Sequence, residues 1–173
     1  MLPGPAGALE ILRDEPDPSL AGPHRGVVVI AHPHPLFGGT MDNKVVQTLA
    51  RGFVLAGWTA VRFNFRGVGA SAGNHDDGRG ELDDLLTVVA AFAPQGPLAL
   101  AGFSFGAFVA CAATERLRSD RAIAQIVLVG TAAGRFSVAP LASDLHAQAL
   151  VIHGEQDDTV PLTAVFDWAR PQN

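Results

Sequence analysis

The sequence alternates short apolar runs with segments of helical periodicity, and this alternation restricts the fold more than any other feature. Five runs have the length and the apolar content of a buried strand, and each lies between turn residues. They cover residues 27–31 (VVVIA), 59–65 (TAVRFNF), 98–101 (LALA), 123–129 (IAQIVLV) and 149–153 (ALVIH). Residues 8–13 are predicted to form a further short strand at an edge of the sheet.

Four helices are predicted between and after these strands. They cover residues 42–56, 81–92, 106–118 and 162–170. Strand–helix alternation of this kind favours an α/β fold, a three-layer sandwich in which helices cover both faces of a mainly parallel, doubly wound sheet. In such sheets the reacting groups collect at the carboxyl ends of the strands.

The composition is typical of one globular domain over residues 1–173. Hydrophobic residues make up 48% and charged residues 17%, which excludes a disordered chain and suits strands buried on both faces. The net charge is −5 and Lys and Arg form no cluster, so we expect no nucleic-acid partner. The single cysteine, Cys111, is expected in the core, in agreement with a reducing compartment. We also expect no signal peptide, no membrane span and a cytoplasmic location.

The segment 102–106 (GFSFG) directly follows a predicted strand and precedes a predicted helix. A G-x-S-x-G sequence in this context predicts a sharp strand-to-helix turn with Ser104 at its tip, rather than a simple serine N-cap. Both glycines are needed because a side chain at either position would crowd the neighbouring backbone. The new helix directs free N–H groups at charge that develops beside it. We therefore predict that Ser104 is a catalytic nucleophile.

A serine nucleophile needs a base, and the base needs a carboxylate that orients it. Residues 153–161 (HGEQDDTVP) follow the last predicted strand, so their carboxylates lie at the same sheet edge as Ser104. This HGxxDxxVP pattern resembles the acid loop of α/β-hydrolases. The resemblance implies that Asp157 is the acid of the triad, with Asp158 and Glu155 as alternatives. A purely structural role, in which Asp157 caps the following turn, stays open.

The resemblance to α/β-hydrolases extends to residues 32–40 (HPHPLFGGT), which follow the first predicted strand, where these enzymes carry their oxyanion loop. The resemblance implies that one oxyanion donor is the N–H of Phe105, directly after the nucleophile, and that the loop supplies the second. The prolines of the loop have no N–H, which leaves His34 or Leu36 as the second donor. Of these two we prefer Leu36.

Residues 64–71 (NFRGVGAS) resemble the R-G-x-G-x-S turn of the same enzymes, and Arg66 is expected to be structural. Together the four segments, between residues 26 and 161, look like the small lid-less bacterial α/β-hydrolases of the dienelactone-hydrolase-like group. The resemblance implies an α/β-hydrolase fold without a lid. No cofactor is expected. No metal site is expected either, because the pair His32 and His34 lacks a third ligand at a compelling spacing.

The sequence departs from this family at the triad histidine, which should follow the acid after one further strand. No histidine follows His153 in the sequence. We expect His32, His34 and His153 to be structural, and His24, His75 and His146 to lie in surface loops. The chain is therefore interpreted as a C-terminally truncated hydrolase of very low activity, with a naturally short relative as the alternative. In either case residues 149–153 become an apolar edge that favours low solubility or a homodimer.

These features predict a serine hydrolase of the carboxylesterase type, acting on a small-molecule ester or a related acyl compound. Phe37 and Phe103 are expected to line an open cleft, with Phe105 and Phe136 nearby, that suits a short, moderately apolar acyl group. One alternative is hydrolysis of peptides or lactones. Another is a hydrolase-like protein that binds ligands or partners without catalysis.

Overall fold

The structure is a computed structural model that describes residues 1–170. Its strands are β1 (Leu2–Gly4), β2 (Gly7–Leu9), β3 (Ile11–Asp14), β4 (Gly26–Ala31), β5 (Trp58–Phe63), β6 (Leu98–Phe103), β7 (Ile123–Val129) and β8 (Ala149–Ile152). Six of them form one sheet in the order β3-β5-β4-β6-β7-β8. Neighbouring strands are parallel except at one edge, where β3 runs antiparallel to β5. Strands β1 and β2 form a separate antiparallel pair.

Helices cover both faces of the six-stranded sheet, as the sequence predicts. They are α1 (Pro18–Ala21), α2 (Lys44–Leu55), α3 (Arg79–Phe92), α4 (Phe105–Leu117) and α5 (Leu162–Ala169), with 3₁₀ turns at Pro35–Phe37 and Ser143–Gln148. Successive side chains of β4 point to opposite faces and are buried on both. Val28 and Ile30 pack in the cluster that contains Val46 of α2, whereas Val29 packs in the cluster formed with α3 and α4. The α/β three-layer fold class is thus confirmed.

The first edge of the sheet differs from the prediction. The single strand expected at residues 8–13 is two strands, because β2 pairs with β1 and β3 pairs with β5. Glu10 lies between them, and its N–H donates to Ser71 Oγ at 2.9 Å instead of joining a ladder. Its carboxylate accepts hydrogen bonds from Asn64 Nδ2 and from the Ala70 N–H. These side-chain bonds hold the chain at the break, and they have no signature in hydrophobic periodicity.

The longest helix within residues 1–170, α3, has 14 residues, about 21 Å of helix, which is shorter than the hydrocarbon thickness of a bilayer. None of the helices in this part of the chain is long and apolar enough to cross a membrane.

Candidate active site

Ser104 lies between β6 and α4 in a strained backbone conformation. Its φ is 55° and its ψ is −112°, a region that residues with a side chain rarely adopt. Such a conformation costs about 1–3 kcal/mol and persists only where the surroundings impose it. Here the Ser104 N–H donates to the Val129 carbonyl at 2.9 Å, which fixes the turn to the end of β7.

The two glycines of the turn are required by close backbone contacts. A Cβ on Gly102 would lie 2.3 Å from the carbonyl carbon of Gly106. A Cβ on Gly106 would lie 2.3 Å from the Ala31 carbonyl oxygen at the end of β4. This crowding is the physical reason for both glycines that the sequence predicts, and it forms the sharp bend that presents Ser104.

The first residue of α4 offers a free N–H beside Ser104. The Ser104 carbonyl accepts the N–H groups of Ala107 and Phe108, as in an ordinary first helical turn. The Phe105 N–H has no acceptor within residues 1–170, and the ring of Phe105 is fully buried. An unpaired N–H at a helix N-terminus favours negative charge next to it. This is the position that the sequence predicts for an oxyanion donor.

The loop after β4 is closed by its own hydrogen bonds. The N–H groups of Phe37 and Gly39 both donate to the His34 carbonyl, at 3.1 and 3.0 Å. The Leu36 N–H donates to Nδ1 of the His34 ring at 3.2 Å. The peptide N–H of His34 has no acceptor among the described residues. The preference for Leu36 as oxyanion donor is therefore corrected, since its N–H is already engaged and that of His34 is free.

His32 ties this loop to the turn after β5. Its Nδ1 lies 2.6 Å from the Pro33 carbonyl, and its Nε2 accepts the Phe65 N–H at 3.0 Å. Burial lowers the pKa of His32 to about 4, so the ring is neutral at neutral pH. Both ring nitrogens are occupied, which leaves no lone pair for a metal ion. Within residues 1–170 no group of three or more His, Cys, Asp or Glu side chains is arranged to hold a metal.

Asp157 lies in the loop after β8, at the same edge of the sheet as Ser104. Its Oδ1 accepts the N–H groups of Thr159 and Val160, at 2.8 and 2.9 Å. These bonds, the Val160 bond above all, lower the pKa of the carboxyl group below its ordinary value. Asp157 therefore closes the turn, the structural role that stayed open, but only one of its oxygens does so.

The second oxygen of Asp157 faces the end of β7 and the strand that carries the nucleophile. A Cβ on Gly130 would lie 4.0 Å from Asp157 Oδ2 and 3.1 Å from the ring of Phe103, the residue before Ser104. The fold thus brings the acid loop to the strand end that bears the serine, although 53 positions separate the two residues. The alternatives Asp158 and Glu155 are exposed in the same loop.

His153 is the histidine beside this carboxylate among the described residues. Its Nε2 lies 4.0 Å from Asp157 Oδ2 but donates to the Val160 carbonyl at 2.8 Å. The side chain is only 4% exposed. It therefore braces the acid loop, in line with the structural role expected for it, and its Nε2 is not available to bond Asp157. Its Nδ1 is buried without a hydrogen-bond partner within residues 1–170.

The predicted pocket residues do not lie side by side. Phe37 is 82% exposed on the loop after β4 and packs on the His34 ring, with 4.7 Å between ring centroids. Phe103 packs instead with the α2-side cluster and lies near Asp157 through Gly130. Phe136 contacts the rings of Phe105 and His34, at 5.4 and 5.9 Å. Any cleft formed by Phe37 and Phe136 is thus centred on His34, with Phe103 beside the acid.

The expectation of a structural Arg66 agrees with its contacts. Its Nε and Nη2 form bonds of 3.0 and 2.8 Å with the two oxygens of Asp84, which is fully buried on α3. The Arg66 N–H donates to the same carboxylate. This hydrogen-bonded pair raises the pKa of Arg66 and connects the turn after β5 to α3.

Sequence reasoning missed His75, which it places in a surface loop. The ring of His75 lies 4.8 Å from that of His34 and 5.6 Å from that of Phe105. Its Nδ1 is 2.8 Å from Oε1 of Glu81, a fully buried carboxylate on α3. The spacing of Gly78 and Glu81 is the available signal, because a Glu three residues into a helix caps its start.

The chain matches known proteins in both sequence and fold. The family model described as serine aminopeptidase, S33, matches residues 22–142. A lid-less α/β serine hydrolase from Xanthomonas campestris is 41% identical, with a TM-score of 0.86 over 98% of this chain and 76% of its own. An α/β serine hydrolase homologue from Coxiella burnetii is 36% identical, with a TM-score of 0.79 over 98% of this chain and 79% of its own.

A curated relative matches a smaller part of the chain than these structures do. An uncharacterized protein of Rickettsia prowazekii is 41% identical over 92 residues, which are 51% of this chain and 39% of that protein. The chain thus spans about two fifths of the length of this curated relative. The matched family region contains Ser104, His34 and Phe105 and ends before Asp157. On the family match and the solved structures together, the chain belongs to the serine aminopeptidase S33 family of α/β-hydrolases.

Proposed function

We propose that the protein is a serine hydrolase of carboxylic esters or related small acyl compounds, with Ser104 as its nucleophile. The observation that carries the proposal is the conformation of Ser104, a non-glycine residue at φ 55° on a strand-to-helix turn next to the free Phe105 N–H. Strain of this kind clusters at active sites, where the surrounding fold maintains it. The turn presents the hydroxyl and the helix N-terminus presents the donor.

The proposed reaction is a two-step acyl transfer. Ser104 Oγ attacks the carbonyl carbon while a base takes its proton, and the carbonyl oxygen becomes an oxyanion. The N–H groups of Phe105 and His34 donate to this oxyanion. The tetrahedral intermediate then breaks its bond to the alcohol, which leaves with the proton. Water, deprotonated by the same base, hydrolyses the acyl-serine and restores Ser104.

Asp157 is proposed to orient the base. Its lowered pKa keeps it charged at neutral pH, and Oδ2 has no hydrogen-bond donor within residues 1–170. An imidazole N–H bonded to this oxygen would present its other nitrogen to Ser104. His153 does not fill this role because Val160 holds its Nε2. The proposed mechanism therefore needs a further imidazole bonded to Asp157 Oδ2, which His153 does not supply.

Added imidazole gives a direct test of this arrangement. We expect imidazole to increase hydrolysis of p-nitrophenyl acetate, and labelling by a fluorophosphonate probe, in a saturable manner. Imidazole alone also cleaves this ester, so hydrolysis is measured above the rate without protein. Ser104→Ala should abolish that excess rate and the labelling. Asp157→Asn should remove the saturable response to imidazole, whereas Asp158→Asn, which changes the adjacent exposed carboxylate, should retain it. A folded chain whose Ser104→Ala variant hydrolyses the ester as fast as the parent would refute the nucleophile.

Peptide hydrolysis is the second candidate, and the description of the matched family as serine aminopeptidases favours it. Esters and anilides of the same amino acid separate the two. If esters are the substrate, imidazole-supported hydrolysis of alanine p-nitrophenyl ester should not be accompanied by release of p-nitroaniline from alanine p-nitroanilide. Ser104-dependent release of p-nitroaniline would favour the aminopeptidase. A chain that binds short acyl compounds without Ser104-dependent turnover would favour the non-catalytic alternative.

A further inference from the structure

Three rings form a closed triangle next to the nucleophile. His34 and Phe105 have ring centroids 4.8 Å apart, and His75 lies 4.8 Å from the first and 5.6 Å from the second. Within residues 1–170, the peptide N–H groups of His34 and Phe105 have no acceptor. His75 is thus in contact with both proposed oxyanion donors, and it comes from a third segment of the chain.

The third ring is anchored from inside the protein. Glu81 is fully buried at the start of α3, and its Oε1 lies 2.8 Å from His75 Nδ1. The same carboxylate accepts the N–H groups of Asp76 and Gly78, at 3.0 and 2.8 Å. The His75 side chain is 9% exposed, and its Nε2 lies 3.4 Å from Asp77 Oδ1. A ring that is hydrogen-bonded to a buried carboxylate through Nδ1 and packed on two other rings has a fixed orientation.

We infer that His75 is a positioning residue of the oxyanion hole, a buttress fixed by Glu81 that holds the loop of His34 and the start of α4 at a set separation. The inference rests on the proposed function, which assigns the N–H groups of His34 and Phe105 as oxyanion donors. It concerns a side chain that need not touch the substrate. Its physical basis is that oxyanion donors are effective only when they are fixed in place before charge develops.

The conformation of the loop also depends on the charge of the His34 ring. The titratable groups that face His75 are His34, Asp77 and Glu81. Burial, and next the neighbouring His75, lower the pKa of His34, which keeps its ring neutral. A neutral ring retains the Nδ1 lone pair that accepts the Leu36 N–H. The buttress thus maintains the position of the His34 ring, on which the loop conformation depends.

The first test uses amide NMR of the chain and needs no catalysis. In His75→Ala we expect the amide resonances of His34, Leu36 and Phe105 to shift, and the exchange of the hydrogen-bonded Leu36 amide with water to accelerate by about tenfold. His75→Phe keeps a ring and should restore part of this protection. His24→Ala is the matched control, because the His24 ring bonds Thr59 Oγ1, at the amino end of β5, and its loss should leave those amides unchanged.

The second test separates turnover from binding. With imidazole supporting ester hydrolysis, His75→Ala should lower kcat by about 10- to 100-fold, with KM within about twofold of the parent value. Glu81→Gln, which removes the charge of the anchor, should lower kcat in the same direction with a smaller effect.

Two outcomes would overturn the inference. One is unchanged amide shifts and unchanged kcat in His75→Ala. The other is a fall in kcat, an increase in KM and a loss of thermal stability that occur together, which a merely structural histidine would produce. If the parent chain shows no Ser104-dependent reaction with imidazole, the proposed function fails, and the amide measurement alone decides whether His75 holds the two N–H groups.

Discussion

The ring of His32 accepts the Phe65 N–H at 3.0 Å, and this bond connects the loop after β4 to the turn after β5. The ring is fully buried and stacks at an angle on the Phe65 ring, 4.7 Å away. Since Nε2 is the acceptor, the bond requires a neutral imidazole with its proton on Nδ1, where the Pro33 carbonyl accepts it. Protonation of His32 at Nε2 would therefore break this bond. The bond supports the loop that carries the His34 N–H.

Stability should decrease in acid because of His32. The pKa of its folded state, about 4, lies below the ordinary 6.5, so the unfolded chain binds the proton more readily. The stabilisation is complete above pH 6.5 and is lost as the pH falls towards 4. At about 1.4 kcal/mol per pKa unit, urea unfolding should show a loss of about 2 kcal/mol between pH 7.5 and 5. His32→Gln should be less stable at pH 7.5 and should have a flatter pH profile. An equally steep profile in the variant would contradict the assignment.

Gly106 should not tolerate a methyl group. The added Cβ would lie 2.3 Å from the Ala31 carbonyl oxygen, which is backbone and has nowhere to move. We expect Gly106→Ala to lower the free energy of unfolding by about 1–3 kcal/mol, through forced displacement of the turn, and to reduce labelling of Ser104.

Gly52 provides the matched control for Gly106. It lies inside α2 with nothing within 4 Å of an added Cβ. Gly52→Ala should stabilise the chain by about 0.5–1 kcal/mol, because alanine loses less backbone entropy in a helix. Chemical denaturation of both variants gives the comparison. Equal effects of the two substitutions would show that the crowding at Gly106 has no consequence.

The sequence was informative where local patterns reflect backbone geometry. The five apolar runs correspond to β4–β8. Residues 102–106 form the sharp turn because Gly102 is in close contact with the backbone of Gly106, and Gly106 with the end of the neighbouring strand β4. The break in the strand at Glu10 depends on a side-chain bond to Ala70, 60 positions away. The buttress formed by His75 depends on its bond to Glu81, 6 positions away. Periodicity does not record such bonds, and the polar run 74–78 is indistinguishable from a solvated turn in sequence.

The oxyanion loop shows the same limit at the level of one residue. Elimination of the prolines leaves His34 and Leu36, and the decision between them depends on where the His34 ring points. In the structure the His34 ring accepts the Leu36 N–H, two positions along the chain. The sequence is compatible with this hydrogen bond but does not predict it. The sequence thus predicts the type of site, an oxyanion loop, but not which of its residues supplies the donor.

The buried pair of Arg66 and Asp84 should be essential for stability. Asp84 is fully buried, so removal of its charge leaves Arg66 with an unpaired guanidinium next to α3. We expect Asp84→Asn to lower the free energy of unfolding by about 3–5 kcal/mol. Glu115→Gln is the control, because the pair of Glu115 and Arg118 is exposed and should contribute about 0–1 kcal/mol. A similar loss in both variants, measured by urea unfolding, would exclude burial as the cause.

The outer edge of the sheet should make the chain associate with itself. Within residues 1–170, β8 pairs with β7 along one side only, and its Leu150 and Ile152 side chains are 49% and 45% exposed. An unpaired apolar edge offers N–H and carbonyl groups to another strand, whereas a lysine on such an edge opposes pairing through its charge and its hydration. In a concentration series, sedimentation should detect association of the chain.

Ile152→Lys should shift this equilibrium to the monomer without a comparable change in thermal stability, because the side chain it replaces is half-exposed. Leu55→Lys is the matched control, since Leu55 is 73% exposed at the end of α2 and belongs to no strand. If both variants reduce association equally, general charge is responsible and the edge is not the contact. If neither does, two copies meet elsewhere, and the exposure of β8 has no consequence for assembly of this chain.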